Sequence, residues 1–376
     1  MASRNRVIYQ SEGLFVAEHA SITGFTKTEQ LRRVQSANYS YTINRQDVNQ
    51  YGQLARIDSL VLEPPTVNLD FSYYLTDGFN ERVLNFFVAT GNPALGQGNF
   101  ASGHLTAGSG QNVYIVTSPE GEDLNAGDAY AATDKIIGVG NCYISDYSID
   151  LSVGSLPTAS VSMEGSNVRS SAGNAIKTPA VNQQDGTEAF STNVTLPLPT
   201  SGITSSIFSG SITALRPGDI TLNIDNFRDD VISDISGDDS IHVQSATISI
   251  PLSRTPLDRL GSKFAYARTV DFPVVTTMNV SAILNEVDAR NLADKLEESE
   301  RNVSITLKTS DNKTGMVWDF KGALVESESW SSSIGANKTV DLTFTAQIGG
   351  PEDIADGVFL SGVSHQEIYT GTRTLG

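Results

Sequence analysis

Val34-Gln-Ser-Ala-Asn-Tyr-Ser-Tyr-Thr-Ile-Asn-Arg45 and Val243-Gln-Ser-Ala-Thr-Ile-Ser-Ile-Pro-Leu-Ser-Arg254 carry one pattern twice, 209 residues apart. The match runs without a gap to Leu75 and Leu284, and along it Arg45 meets Arg254, Tyr51 meets Leu260, Gly52 meets Gly261, Val61 meets Val270 and Pro64 meets Pro273. A second block aligns at an offset of 181, with Ser148 to Gly154 over Ser329 to Gly335 and Thr158 to Met163 over Thr339 to Phe344. Two collinear blocks in the same order point to an internal duplication. The change of offset from 209 to 181 gives the first copy 28 more residues. They are expected between Phe87 and Ile136, where Thr90 to Gly110 reads as a long Gly-rich loop.

Ser166 to Thr192 is polar, small and without period, which is the composition of a linker. The expected organisation is a first copy over 1–170, a linker over 171–192, a second copy over 193–350 and a C-terminal tail over 351–376. A chain of 376 residues is long enough for a core in each copy.

Within a copy the dominant period is two. Asp146 to Val153, a Gly154-Ser-Leu-Pro157 turn and Ala159 to Met163 read as a hairpin, and Val340 to Ala346 alternates more cleanly still. Such strands have one apolar and one polar face. One short helix is expected per copy. Asp77 to Phe87 places Phe79, Val83, Phe86 and Phe87 on one stripe, and after Asn285 as N-cap Ala289, Leu292, Ala293 and Leu296 do the same. The fold class is mainly β: two tandem small β-sandwich or barrel domains, each with one short helix and one long loop. That loop, Asn44 to Asp58 and Ser253 to Arg268, reads as neither strand nor helix and is too long for a hairpin turn. Retention of Arg, an apolar residue and Gly in two diverged copies marks it as a contact arm.

Composition excludes several functions. With 25 Lys+Arg against 43 Asp+Glu the formal charge is −18, so no broad basic footprint for gripping nucleic acid exists. No apolar run approaches the ~20 residues of a membrane helix, and the first residues lack a secretory pattern, so a soluble chain without membrane contact is expected. The single Cys142 excludes internal disulfides and is expected half-buried in a strand. His19, His104, His242 and His365 lie far apart and are expected at the surface or in loops, without zinc. No nucleophile elbow, phosphate loop or dinucleotide fingerprint occurs, so neither enzyme activity nor a cofactor is expected. The acidic run Asp225 to Asp239 lacks calcium-loop spacing and reads as a solvated loop. Trp318 and Trp330 are expected to pack strands in the core.

The order strand, Arg/Gly loop, Phe-Pro-Val strand, helix, then hairpin resembles the tail tube (major tail) proteins of tailed bacteriophages, in their two-domain form. Arg254-Thr-Pro-Leu-Asp-Arg-Leu-Gly261 to Phe272-Pro-Val274 and Asn141 to Gly165 carry the likeness, which is one of pattern over most of both copies. The resemblance implies a virion structural protein assembled in the host cytoplasm, with trimeric rings of pseudo-sixfold symmetry stacked into a tube for DNA ejection. It further implies other tail proteins at the tube ends, duplex DNA passing without specific binding, and inter-ring contacts by Arg45, Tyr51, Gly52, Arg254, Leu260 and Gly261. The negative charge then either keeps phosphate off the wall or simply keeps the chain soluble. The rival readings are a phage β-sandwich adhesin or carbohydrate-binding module, which needs aromatics clustered on exposed loops, and a glycan-cleaving enzyme, which needs a carboxylate pair in a cleft.

Overall fold

The computed structural model describes residues 12–18, 28–61, 63, 65–89, 98–106, 110–118, 124, 135–173, 176–182, 187, 196, 220–224, 241–262, 264–284, 300–308, 314–331 and 339–362. Alternating residues of the first half form β3 (Val34–Thr42), β6 (Thr66–Tyr74), β9 (Thr158–Gly165) and the outer part of β8 (Lys135–Ser152), hydrogen-bonded in the order β3-β6-β9-β8. Those of the second half form β12 (Ile241–Pro251), β15 (Val274–Leu284), β18 (Thr339–Ile348) and the outer part of β17 (Thr314–Ser331), in the order β12-β15-β18-β17. All pairs are antiparallel, and β8 joins β12 directly, with Ser152 opposite Ser245 and Asp146 opposite Pro251.

The registers repeat with the sequence. Val34 faces Tyr73 and Ser36 faces Ser72 across a bulge; Val243 faces Ala282 and Ser245 faces Ser281 across another, both shifted by 209. The bulges in β8 after Ile144 and in β17 after Val325 match at 181. There each 18-residue strand leaves the first sheet layer for a second. That layer holds β1 (Glu12–Glu18), β2 (Thr28–Gln30), β7 (Gln111–Thr117) and β10 (Asn167–Ala172) in the first half. In the second it holds β11 (Ile220–Ile224), β16 (Arg301–Lys308) and β19 (Gly357–Gly362). The offset is 190 between β7 and β16, so of the 28 extra residues 19 precede β7 and nine separate β7 from β8.

Several expectations are corrected. The helix over 77–87 is only α1 (Phe79–Val83), because the chain turns left-handed at Asn85 (φ 71°). Part of the Gly-rich stretch is a second helix, α2 (Ser102–Thr106), where Gly103 lies so close to the Asn85 carbonyl that a Cβ would clash. The helix expected after Asn285 and the acidic run 225–239 lie outside the described residues, as do His19 and His365. The 19-residue insertion clasps the second half: Ala89 N–H donates to the Leu360 carbonyl at 2.8 Å and Phe100 N–H to the Val358 carbonyl at 2.7 Å. The stretch read as linker is packed where described, with Val181 N–H donating to Asn141 Oδ1 and Pro179 lying against Gly138 and Gly140. The sheet also continues past residue 350, since all of β19 is buried.

One core runs through both halves. Phe100 stacks on Phe86 at 4.1 Å and meets Trp318 edge-on at 4.8 Å, tying the insertion, the segment after α1 and β17 together. His104 is buried against Phe86 rather than exposed. Burial, with Arg254 nearby, lowers its pKa to about 3 and keeps the ring neutral. Cys142 is fully buried rather than half-buried, and burial pushes its thiol up to about 12. Trp318 lies in the core as expected; Trp330 does not.

Candidate functional site

The stretch expected to be irregular is a second kind of hairpin. β4 (Arg45–Val48) pairs with β5 (Asp58–Val61), and β13 (Arg254–Leu257) with β14 (Ala267–Val270), so that Arg45 faces Val61 and Arg254 faces Val270. The two ribbons form sheets of their own and stand off the body as arms. At their tips Gly52 and Gly261 both have φ +83°, a left-handed turn that side chains oppose, with open space around each. Tyr51, Leu54 and Leu260 are fully exposed, and nothing among the described residues covers them.

The two arms differ at their roots. Arg45 is exposed. Arg254 is not free to reach a neighbour: its guanidinium donates to the backbone carbonyls of Arg268 (3.2 Å) and His104 (3.0 Å) and lies over the Tyr143 ring. Arg268 adds an ion pair to Glu164 at 3.0 Å. Because β12 lies against β8, the second arm grows from the seam between the halves. Among the described residues β3, the counterpart of β12, is paired only with β6.

The outer face of the eight strands is the third feature. Directly opposed residues share a face, and a row of hydroxyls crosses seven strands without a break: Ser36, Ser72, Ser160, Ser148, Ser249, Thr277 and Thr345. Asp70, Asp146, Asp150, Glu164 and Asp341 stand on the same face. Counting strands β3, β6, β9, β12, β15 and β18 with residues 143–152 and 324–331, seven carboxylates and no Lys or Arg are present. Burial raises the Asp146 pKa; Asp70 accepts from Ser162 Oγ at 2.7 Å. Arg268, at the root of the second arm, reaches this face through its ion pair with Glu164.

Sequence reading placed the arms and their glycines, but missed the cation-free face, whose signal was the absence of Lys and Arg from eight separated segments. It also missed the exposed edges. Among the described residues no group of three or more His, Cys, Asp or Glu side chains could hold a metal, and no helix is long and apolar enough to cross a membrane. In comparisons with known proteins, no family model matches the chain and no curated protein is significantly similar to it.

Proposed function

We propose that the chain is a structural subunit of a phage tail tube, assembling into stacked rings whose inner wall lets duplex DNA pass. The observation that carries this reading is the outer face of the eight-stranded sheet, lined by hydroxyls and carboxylates from strands that carry no Lys or Arg, with the Arg268 guanidinium beside it neutralised by Glu164. Each cation on such a wall would bind a phosphate and release its counterion, adding a salt-dependent contact that slows passage. A wall of acids and short hydroxyls presents no such contact.

Size supports the same reading. Each chain contributes eight neighbouring strands. Strands spaced ~4.8 Å apart give a closed ring of three chains, 24 strands, a backbone diameter of at least about 37 Å, while two chains give only about 24 Å. After side chains on both sides are allowed for, three is the smallest number that leaves a bore for a double helix. The arms, with bare apolar tips, are suited to contact the next ring.

The adhesin reading fits less well, because the exposed aromatics do not gather on one loop: Tyr39, Tyr41 and Trp330 lie on strands, and Tyr51, Tyr266 and Phe272 on three different connections. Negative-stain electron microscopy of the purified protein tests the proposal. Rings or hollow tubes are expected; a protein that stays monomeric at millimolar concentration, with no tubes at any salt, would overturn it.

A further inference from the structure

A cavity of about 490 Å³ opens on the second half beside the bend of β17. Val275, Leu324 and Ala346 give it apolar walls, and Glu300, Asp353 and Asp356 give it three carboxylates. Two glycines make room for the acids. Gly322 turns left-handed at φ 65°, and a Cβ there would lie 2.6 Å from Asp356 Oδ1; a Cβ on Gly349 would collide with Asp353 Oδ2. The three carboxylates do not form a group that could hold a metal ion. Lys321, next to Gly322, is engaged elsewhere: its Nζ donates to the Ile354 carbonyl at 3.3 Å and lies 4.5 Å from the centre of the Phe359 ring.

The first half shows what such a place holds. By the offset of 181, Leu324 and Thr345 on the cavity wall stand where Tyr143 and Glu164 stand, opposed in the same register. There the position is filled. The guanidiniums of Arg254 and Arg268 lie over the Tyr143 ring at 5.1 and 6.0 Å, and Arg268 pairs with Glu164 at 3.0 Å. Both arginines come from the root of the second arm. In the second half Thr345 removes the carboxylate of Glu164, while residues 349–356 bring two others, in a connection whose counterpart between β9 and β10 is Ser166 alone.

We propose that this cavity is a guanidinium site and that its occupant is Arg45 of a second copy of this chain. Arg45 holds in the first arm the place that Arg254 holds in the second, by the offset of 209. It is exposed, and its side chain makes no hydrogen bond or ion pair among the described residues. A planar guanidinium suits the cavity better than an ammonium: its faces lie against the apolar walls while its edge donates to carboxylates in more than one direction. Ser59 stands where Arg268 stands, so one cation meets three acids, and the contact weakens as salt rises. The choice of occupant rests on the tube reading above, which brings copies together; the ligand class does not.

Two measurements on the full-length chain test the two statements separately. In Arg45→Ala protein, saturation-transfer NMR with N-acetyl-arginine amide is expected to show binding through the guanidinium end. The signal should be several-fold weaker with N-acetyl-lysine amide and lost in Arg45→Ala/Asp353→Asn/Asp356→Asn. Equal signals from the two amides, or from protein with and without the two acids, would overturn the guanidinium site. In assembly, followed by light scattering and micrographs, Arg45→Glu is expected to lower the yield of tubes at least tenfold, and adding Asp353→Arg/Asp356→Arg to restore it. Glu300→Arg, at a residue that packs on no glycine, is the alternative rescue should that pair fail to fold by circular dichroism. Folded charge-swapped protein that assembles no better than Arg45→Glu alone would overturn Arg45 as the occupant while leaving the tube reading standing. No tubes from the unmodified chain, alongside a selective arginine signal, would reject the tube reading and the occupant but leave the guanidinium site.

Discussion

At the scale of the residue, Glu81 is the most consequential buried group. It sits on α1 with no exposed surface to speak of, and the hydroxyls of Tyr73 and Tyr147 donate to its Oε1 at 2.8 and 3.0 Å. Burial raises its pKa more than the two donated bonds lower it. With a folded pKa above the unfolded value of about 4.3, its contribution to stability is complete below that value and is lost as pH rises through the folded pKa. The expected outcome is a melting temperature that falls as pH rises above the unfolded value. Glu81→Gln should flatten that dependence, read from denaturation curves at several pH values. A variant with the wild-type pH profile would assign the dependence to other carboxylates. Arg254 teaches a related lesson: an arginine repeated in two halves serves one as a half-buried anchor and stays exposed in the other.

At the scale of the element, the arms are separable from the core. Arm tips 50–55 and 260–261 lie beyond their hairpins, and the first is braced at its root by the Arg56–Asp47 ion pair at 3.0 Å. Replacing both tips with Gly/Ser of equal length removes only exposed side chains at Tyr51, Leu54 and Leu260, so stability should change by no more than ~0.5 kcal/mol. Rings should still form, because the sheet edges are untouched, but their stacking into tubes should fail in micrographs. Long tubes from the doubly replaced protein would remove the arms from the stacking contact. Extending the replacement to the whole of 255–265 would be a poorer test, since it enters the root where Arg254 and Arg268 tie the second arm to Tyr143 and Glu164.

At the scale of the molecule, the proposed tube requires the eight neighbouring strands of one copy to meet those of the next in equal steps, since equal steps close a sheet. Three copies per ring is the expected stoichiometry, checked by native mass spectrometry of rings released from the arm-tip variant. Six chains per ring would mean that the internal seam and the seam between copies do not turn the sheet by equal angles.

The strands, their faces and the arms were legible from sequence because they depend on local chemistry. Alternation with period two marks a face whatever lies opposite, a glycine needing positive φ marks a turn, and the offsets of 209 and 181 carried the registers along with them. The partners of those elements were not legible. Whether Arg254 is free, whether His104 is buried, and whether the Gly-rich insertion is slack or clasped to β19 depend on contacts made across more than a hundred residues. The same holds for Trp330, whose pattern is that of a core residue and whose exposure arises because β17 lies at the end of the sheet. Composition and period determine which side of a strand is apolar; only the tertiary structure decides whether another strand of the same chain is there to cover it.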